Sequence, residues 1–415
     1  MDLVYHIIIS AVLIGASPFI LLRMAVDAGF RSDILERLRG PAALPAVSGC
    51  VWVHAASVGE VGMAAILIRN LKESGDTRPI VLSTFTPTGY QQAIKEDLCP
   101  AFRLPPDFPW WTRPLFKKLQ PALLILIEAE LWPSLLRQCK RGGVPVLLAN
   151  GRMTEKAFSR YKSFQWFFHW ITEGIARFSM RSQTDADRIL NLGVDQERVT
   201  VTGNIKFDAL AGKETELKEV QAESQLVVFG STRPGDEGPV MEAVLQLQKD
   251  FQDLQCVIAP RHMERCREVE DLIRDYGADY MLHSKLSENS GGDNSLILLD
   301  TLGELNQYYA RAAAAFVGGG FNPRFGGQNI LEPAGHSVPV IFGRHMNNFE
   351  EEAKLLVESG GGIQIGEPKE IYTVLHRLLT DKEERKRRGR SAGEVVRQNR
   401  GAVQRTTEII KSISS

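Results

Sequence analysis

Cysteine is sparse and scattered: five in 415 residues, Cys50, Cys99, Cys139, Cys256 and Cys266, with no CxxC pair among them. An odd, dispersed set excludes a disulfide framework and a paired-cysteine zinc site, and it suits a reducing compartment. A basic excess is missing too, since 49 Lys and Arg stand against 50 Asp and Glu, a formal net charge of -1. Binding to a phosphate backbone draws on surplus Lys and Arg, so no nucleic acid is expected as a partner. Neither a Walker loop nor a GxGxxG turn occurs. No repeat is visible, and no protein partner is indicated. What remains is 44% hydrophobic and 24% charged, the balance of a globular chain, and the length suits two domains of ordinary size.

One apolar run is long. Tyr5 to Leu22 carries no formally charged side chain and is flanked by Asp2 and Arg23. As a helix it would rise about 27 Å, close to the hydrocarbon thickness of a bilayer. A signal peptide would want a basic start and a shorter apolar stretch, and a buried core helix is the plainer alternative. Arg23, Arg31, Arg37 and Arg39 follow the run and nothing basic precedes it but the α-amino group. The positive-inside rule then places the rest of the chain in the cytoplasm, with residues 1–40 as membrane anchor and juxtamembrane helix.

Beyond Gly40-Pro41 the chain alternates short apolar runs with longer helical patterns. The runs are Val51–His54, Ile80–Ser83, Leu123–Ile127, Val144–Ala149, Arg177–Ser182 and Val199–Thr202, then Leu226–Gly230, Cys256–Ala259, Leu296–Leu299, Ala313–Val317 and Val338–Phe342. Continuous rather than alternating apolarity predicts parallel strands covered on both faces, hence an α/β fold of two Rossmann-like, doubly wound domains. The polar stretch 209–224 reads as a linker between a first domain over 41–208 and a second over 225–415. Ser284–Ser295 reads as a polar insertion. A cleft between two such domains is where a ligand is expected.

The polar motifs sit where strands end, the edge at which open α/β sheets bind ligands. His54-Ala-Ala-Ser57-Val-Gly59-Glu60 ends the first strand. Ser57-x-x-Glu60 is a capping box, and a carboxylate at that place can also take a proton. Thr84–Gly89 suits a turn, a cap or hydrogen bonds to a sugar. Glu128-Ala-Glu130-Leu-Trp132-Pro133 follows a wholly apolar strand, and in extended geometry its two carboxylates would share one side. Carboxylates in such a place are costly unless paired or used. Asn150-Gly-Arg152 and Gly203-Asn-Ile-Lys206-Phe-Asp208 end later strands, and Lys206 suits an anionic ligand group.

In the second half Phe229-Gly-Ser-Thr-Arg233, Ala259-Pro260-Arg261-His262 and Asp300-Thr-Leu302-Gly303-Glu304 end strands likewise. Arg beside a tight turn suits phosphate. Gly318–Pro333 follows, a glycine-rich loop containing Asn329, Ile330, Leu331 and Glu332 ahead of a helix start. Backbone amides for phosphate and one acid for ribose hydroxyls are what a nucleotide pocket needs. Arg152–Trp170 interleaves Lys156, Arg160 and Lys162 with seven aromatic side chains, a pattern open to two readings: an amphipathic core helix or a face meeting anionic lipid.

Taken together, His54–Glu60, Glu128–Pro133, Gly203–Asp208, Pro260–His262 and Gly326–Pro333 resemble, in this order, the bacterial 3-deoxy-D-manno-oct-2-ulosonic acid (Kdo) transferases of lipopolysaccharide synthesis. The resemblance runs from the apolar start to about residue 400. It implies a GT-B fold, with a lipid A precursor on the first domain and CMP-Kdo on the second. It implies an inverting transfer to lipid IVA without a metal or other cofactor, at the cytoplasmic face of the inner membrane. By position, Glu60 resembles the general base, and Glu130 and Lys206 resemble residues stabilising the transition state. Pro260, Arg261, Leu302, Gly303, Glu304, Asn329, Ile330, Leu331 and Glu332 resemble the CMP pocket, with Arg261 on phosphate and Glu332 on ribose. A GT-B glycosyltransferase using another donor, or a sugar-nucleotide epimerase, would share the fold and the glycine loop without needing the anchor or the Glu60 and Glu130 pair. A non-catalytic membrane-bound scaffold is the third class, and it would tolerate Glu60→Gln.

Overall fold

The structure is a computed structural model that describes residues 2–39, 47–210, 225–286 and 296–414. It divides into two compact units, Met1–Ala209 with Arg400–Ser415, and Leu210–Asn399.

The first unit is built on seven parallel strands: β1 (Val51–His54), β2 (Ile80–Thr84), β3 (Ala101–Arg103), β4 (Leu123–Ile127), β5 (Val146–Gly151), β6 (Ile175–Met180) and β7 (Val199–Val201). They lie in the order β3-β2-β1-β4-β5-β6-β7. Central strands β1 and β4 are buried along their whole length, which is why they read as unbroken apolar runs. Two cores cover the sheet, one holding Trp52, Leu124, Leu148 and Phe178, the other Val53, Ile125, Leu147 and Leu67. Four chain reversals at the C-terminal edge enter helices through a hydroxyl cap. Ser57, Thr86, Thr154 and Ser182 accept from the backbone N–H of Glu60, Gly89, Ala157 and Asp185. Each hydroxyl satisfies a donor that the first helical turn leaves free.

The second unit repeats the plan with β8 (Leu226–Thr232), β9 (Gln255–Pro260), β10 (Met281–Leu282), β11 (Leu296–Leu298), β12 (Ala314–Val317), β13 (Val340–Gly343) and β14 (Gly362–Ile365). Their order is β10-β11-β9-β8-β12-β13-β14, all parallel. Strands β3, β10 and β14 have no counterpart among the apolar runs of the sequence, and all three lie at sheet edges. An edge strand is short and partly wet, so it lacks the continuous apolarity of a covered one.

The second domain does not extend to residue 415. Helix Ala402–Ser414 returns to the first unit, where Ala402, Val403 and Ile410 join the core beneath β1 and β4. Asp208 directs the return, its two oxygens accepting from the N–H of Gly401 (2.7 Å) and Val403 (2.8 Å). Arg405 donates to the carbonyl of Thr202 and Thr407 to Asn70. Of the expected linker, residues 211–224 lie outside the described residues, as do 287–295 of the polar insertion. Ser284 is tied to Asp300 through its N–H and its hydroxyl.

The apolar start forms helix Asp2–Val26, followed by helix Ala28–Arg39. It is long and apolar enough to cross a membrane, and its Tyr5–Val26 span is not buried in the protein, so it is no core helix. Its first turn is held by polar bonds within the unit: Tyr5 donates to Asp107 (3.0 Å), and Asp2 accepts from Arg141 (2.5 Å) and Trp170 (3.1 Å). The second helix is held by Asp33, which pairs at 2.5 Å with the buried Arg103 of β3. The aromatic stretch is two helices, Glu155–Ser163 and Gln165–Thr172, broken at Phe164. Phe168 is buried and Phe158, Tyr161, Phe167 and Trp170 pack against the core, while Phe164 (53% exposed) and Trp166 (58%) face outward.

Candidate functional site

Three carboxylates converge at the C-terminal edge of the first sheet. Glu60, on the first turn of helix Val58–Glu73, closes the cap expected of it: its oxygens accept from the N–H of Ala56 (2.7 Å) and the hydroxyl of Ser57 (2.9 Å). Burial pushes its carboxyl up to about 7, the Ala56 bond opposes this, and the negative charges of Glu130 and Glu128 add to the rise. Glu60 is therefore electrostatically coupled to a motif seventy residues downstream. Near pH 7 such a group exchanges its proton readily, which is what a general base requires.

Glu128 and Glu130 do not lie along an extended segment, as their spacing suggested. The chain turns directly after β4, with Glu128 at φ +63°, a left-handed conformation unusual for a side chain with a Cβ. The Glu128 N–H bonds the Ala149 carbonyl of β5 (2.9 Å), which pins the turn to the sheet edge. Both carboxylates stay half-buried by a different route from that expected. Burial raises the Glu130 pKa, a hydrogen bond from Trp132 lowers it, and Glu128 raises it further. Beside them Ala129, Leu131, Arg152, Met153, Arg160 and Tyr161 help line a cavity of about 110 Å³.

Lys206 is half-buried in the short helical segment Ile205–Leu210 after β7. Asn150, at the end of β5 with φ +54°, accepts from the Ile205 N–H (2.9 Å), and Asn204 accepts from the Lys206 N–H (3.1 Å). These bonds carry the lysine segment to the same strand-end edge that holds Glu128. The conspicuous Asp208 of this motif instead serves the C-terminal helix.

On the second unit the expected nucleotide residues sit at the equivalent edge. Pro260 ends β9, and the Arg261 N–H bonds the Thr232 carbonyl of β8 (3.0 Å). Arg261 is exposed. It stands close enough to Arg233 and His262, with Arg265, to lower the pKa of both after burial, so three arginines crowd one edge. Arg233, at the strand end that the sequence marked as suited to phosphate, stacks 4.4 Å over the Phe325 ring. Asp236, which no sequence motif marked, ties this edge together. Its Oδ2 accepts from the N–H of Arg233 (2.8 Å) and Gly319 (2.7 Å), stitching the β8 turn to the glycine loop. Burial pushes its carboxyl up to about 6.

Leu302 is 65% exposed and Gly303 has φ +107°, so this turn opens to solvent. One Glu304 oxygen is buried without a protein partner, as are the hydroxyls of Thr232 and Thr301. Buried acceptors and hydroxyls in that condition fit polar groups of a ligand. Asn329 bonds Glu332 (3.1 Å) and also accepts the Leu331 N–H (3.1 Å). Helix Leu331–Gly335 has only five residues, and its first amide is bonded to the Asn329 side chain. Ile330 and Leu331 are buried and shape the loop from beneath. Glu332 lies close enough to the buried Tyr309 to raise its pKa, and the Tyr309 hydroxyl occupies the space a Cβ on Gly230 would need.

Residues 32–209 match the family described as 3-Deoxy-D-manno-octulosonic-acid transferase (kdotransferase). The 3-deoxy-D-manno-octulosonic acid transferase of Haemophilus influenzae is 31% identical over 394 residues, covering 92% of this chain and 91% of the relative. That of Bordetella pertussis is 30% identical over 420 residues, covering 96% of each. Among solved structures, Acinetobacter baumannii MurG superposes with a TM-score of 0.56 at 12% identity, covering 88% of this chain and 99% of that one. A putative UDP-N-acetylglucosamine 2-epimerase from Listeria monocytogenes gives 0.55 at 14%, covering 85% and 94%. At such identity these two show the fold alone, which is GT-B. With full-length relatives at this identity, the chain belongs to the 3-deoxy-D-manno-octulosonic acid transferase family.

Proposed function

We propose that the protein transfers Kdo from CMP-Kdo to a hydroxyl of a lipid A precursor, lipid IVA, with inversion and without a metal, at the cytoplasmic face of the inner membrane. The observation that carries the reading is Glu60: a half-buried carboxyl pushed up to about 7 at a ligand-binding strand edge, coupled to Glu128 and Glu130. In this reading the acceptor hydroxyl gives its proton to Glu60 as its oxygen bonds the anomeric carbon of Kdo. The bond from that carbon to the CMP phosphate breaks, and CMP leaves with the electron pair. Inversion follows from attack opposite the leaving group.

Arg261, with Arg233 beside it, supplies positive charge for the departing phosphate, which charge-assisted bonds stabilise strongly. Pro260, Leu302, Gly303, Glu304 and Asn329–Glu332 would hold the nucleotide, the unpartnered Glu304 oxygen and Thr301 hydroxyl supporting a polar ligand there. Lys206 and Glu130 would steady the charge that develops on the sugar. The apolar helix Asp2–Val26 and the outward Phe164 and Trp166 support attachment to the surface where a lipid acceptor resides. The test is incubation of the detergent-solubilised full chain with CMP-Kdo and lipid IVA, read by product mass. Kdo-lipid from the wild type and none from Glu60→Gln is expected. Turnover of a UDP-sugar without Kdo-lipid would overturn the reading.

A further inference from the structure

His54 belongs to the same motif as Glu60, yet the reading above gives it no task. Its side chain is fully buried, and both ring nitrogens are engaged. Nε2 faces the indole N–H of Trp132 at 3.1 Å. An indole nitrogen can only donate, so Nε2 must be the bare, accepting nitrogen. A neutral imidazole then carries its proton on Nδ1, which faces Ser83 Oγ at 2.8 Å. That hydroxyl oxygen also receives the Trp52 indole N–H at 2.8 Å. Burial favours the neutral ring, pushing its pKa down to about 3. The chain Trp52–Ser83–His54–Trp132 therefore has one proton order, fixed at both ends by indoles that cannot accept.

Trp132 is the exit from this chain. The Glu130 carboxylate stands beside that contact, its Oε2 4.0 Å from His54 Nε2, and the indole is close enough to lower the Glu130 pKa. The ring also packs against Phe85, 5.0 Å away between centroids. We propose that His54, as the Nδ1–H tautomer, is a positioning residue for transfer: its Nε2 lone pair orients the Trp132 indole, and the indole so held fixes the place of the adjacent Glu130 carboxylate. It is no catalytic residue, because a fully buried ring with both nitrogens occupied cannot reach a substrate. The inference rests on the role given above to Glu130, and it joins strand ends β1 and β2 and the turn after β4 through side chains alone.

Two amides separate this role from a merely structural one. In His54→Gln the side-chain oxygen reaches the place of Nε2 and can accept from Trp132. In His54→Asn the shorter amide reaches the place of Nδ1, keeping Ser83 and losing Trp132. With the full chain, CMP-Kdo and lipid IVA, His54→Asn is expected to lose about 100-fold in kcat with KM nearly unchanged, the scale of a misplaced catalytic group. His54→Gln should recover at least tenfold of that loss. Trp132→Phe should match His54→Asn, and the double variant should fall no further, since both cut one link. Equal losses in the two amide variants, or additive losses in the double variant, would overturn the proposal.

Nitrogen-15 spectra of the wild-type His54 ring give a readout independent of turnover and of variant folding. The Nδ1–H form is expected from pH 5 to 9, and an Nε2–H or doubly protonated ring would sink the idea. A wild type that makes no Kdo-lipid would count against the proposed reaction. A wild type that does, with no difference between the amides, would count against His54 alone.

Discussion

Glu60 holds two tasks on one side chain, and their energetics differ in sign with pH. As a cap, its carboxylate accepts from Ala56 and Ser57. As a buried acid, its pKa rises from the ordinary 4.5 to about 7. A raised carboxyl pKa means that the folded chain holds the proton more tightly than the unfolded one. Stability associated with the neutral form is present at low pH and is lost as pH climbs from 4.5 to about 7. Glu60→Gln keeps a capping side chain and never ionises, so its melting temperature relative to wild type should increase from pH 5 to pH 8. Thermal melts across that range check the slope. Activity should run the other way: wild-type kcat/KM should rise through an acid limb near pH 7, and the Gln variant should lose about 10²- to 10⁴-fold, as removal of a general base does. The capping box was legible in the spacing of Ser57 and Glu60. The coupling to Glu128 and Glu130 was not, because only parallel pairing of β1 with β4 brings those ends side by side. The turn at Glu128 escaped for a related reason: a positive φ on a non-glycine residue is imposed by the pinned N–H, not by local preference.

Among the elements, close backbone packing decides what the glycine loop can tolerate. A Cβ on Gly320 would stand 2.7 Å from the backbone nitrogen of Gly343, where β12 and β13 end together. Backbone cannot swing aside as a side-chain tip can. Gly320→Ala should therefore lower the melting temperature and raise KM for the nucleotide donor, whereas Gly238→Ala, whose Cβ would meet only the Tyr276 hydroxyl at an ordinary 3.8 Å, should leave donor KM unchanged. The glycines were legible as permissive positions, but which of them face backbone was not. The covered strands were legible as apolar runs; β3, β10 and β14 were not, since an edge strand needs apolar residues on fewer positions. The first helix carries its own expectation. Its first turn is bonded to Asp107 and Arg141, and the helix after it to Arg103, all in one unit. A cysteine placed at the exposed Ile7, which leaves those bonds in place, should accordingly be labelled by an impermeant reagent from the same membrane face as one placed at Arg69 in that unit. Labelling from opposite faces would show that the helix crosses after releasing its first-turn bonds.

At the level of the whole molecule, the chain order and the partition into units differ. The first unit is completed by the last helix, so residues 1–209 without 400–415 leave the surface under Ala402, Val403 and Ile410 bare. Ile410→Ala should cost about 2–5 kcal/mol in the unit that holds Glu60, by the usual price of a large-to-small core change, and denaturant unfolding followed by a probe in that unit measures it. Sequence alone determined the α/β class, the covered strands, the caps, the apolar start and the motifs that mark the family, because each depends on local spacing and on burial repeated along a few residues. Tertiary structure decided the proton order through His54, the coupling of Glu60 with Glu130, the pairing of Asp208 with the last helix and the stitch from Asp236 to the glycine loop. Those depend on which strand ends lie side by side, a property of pairing over long chain separations that no local pattern encodes.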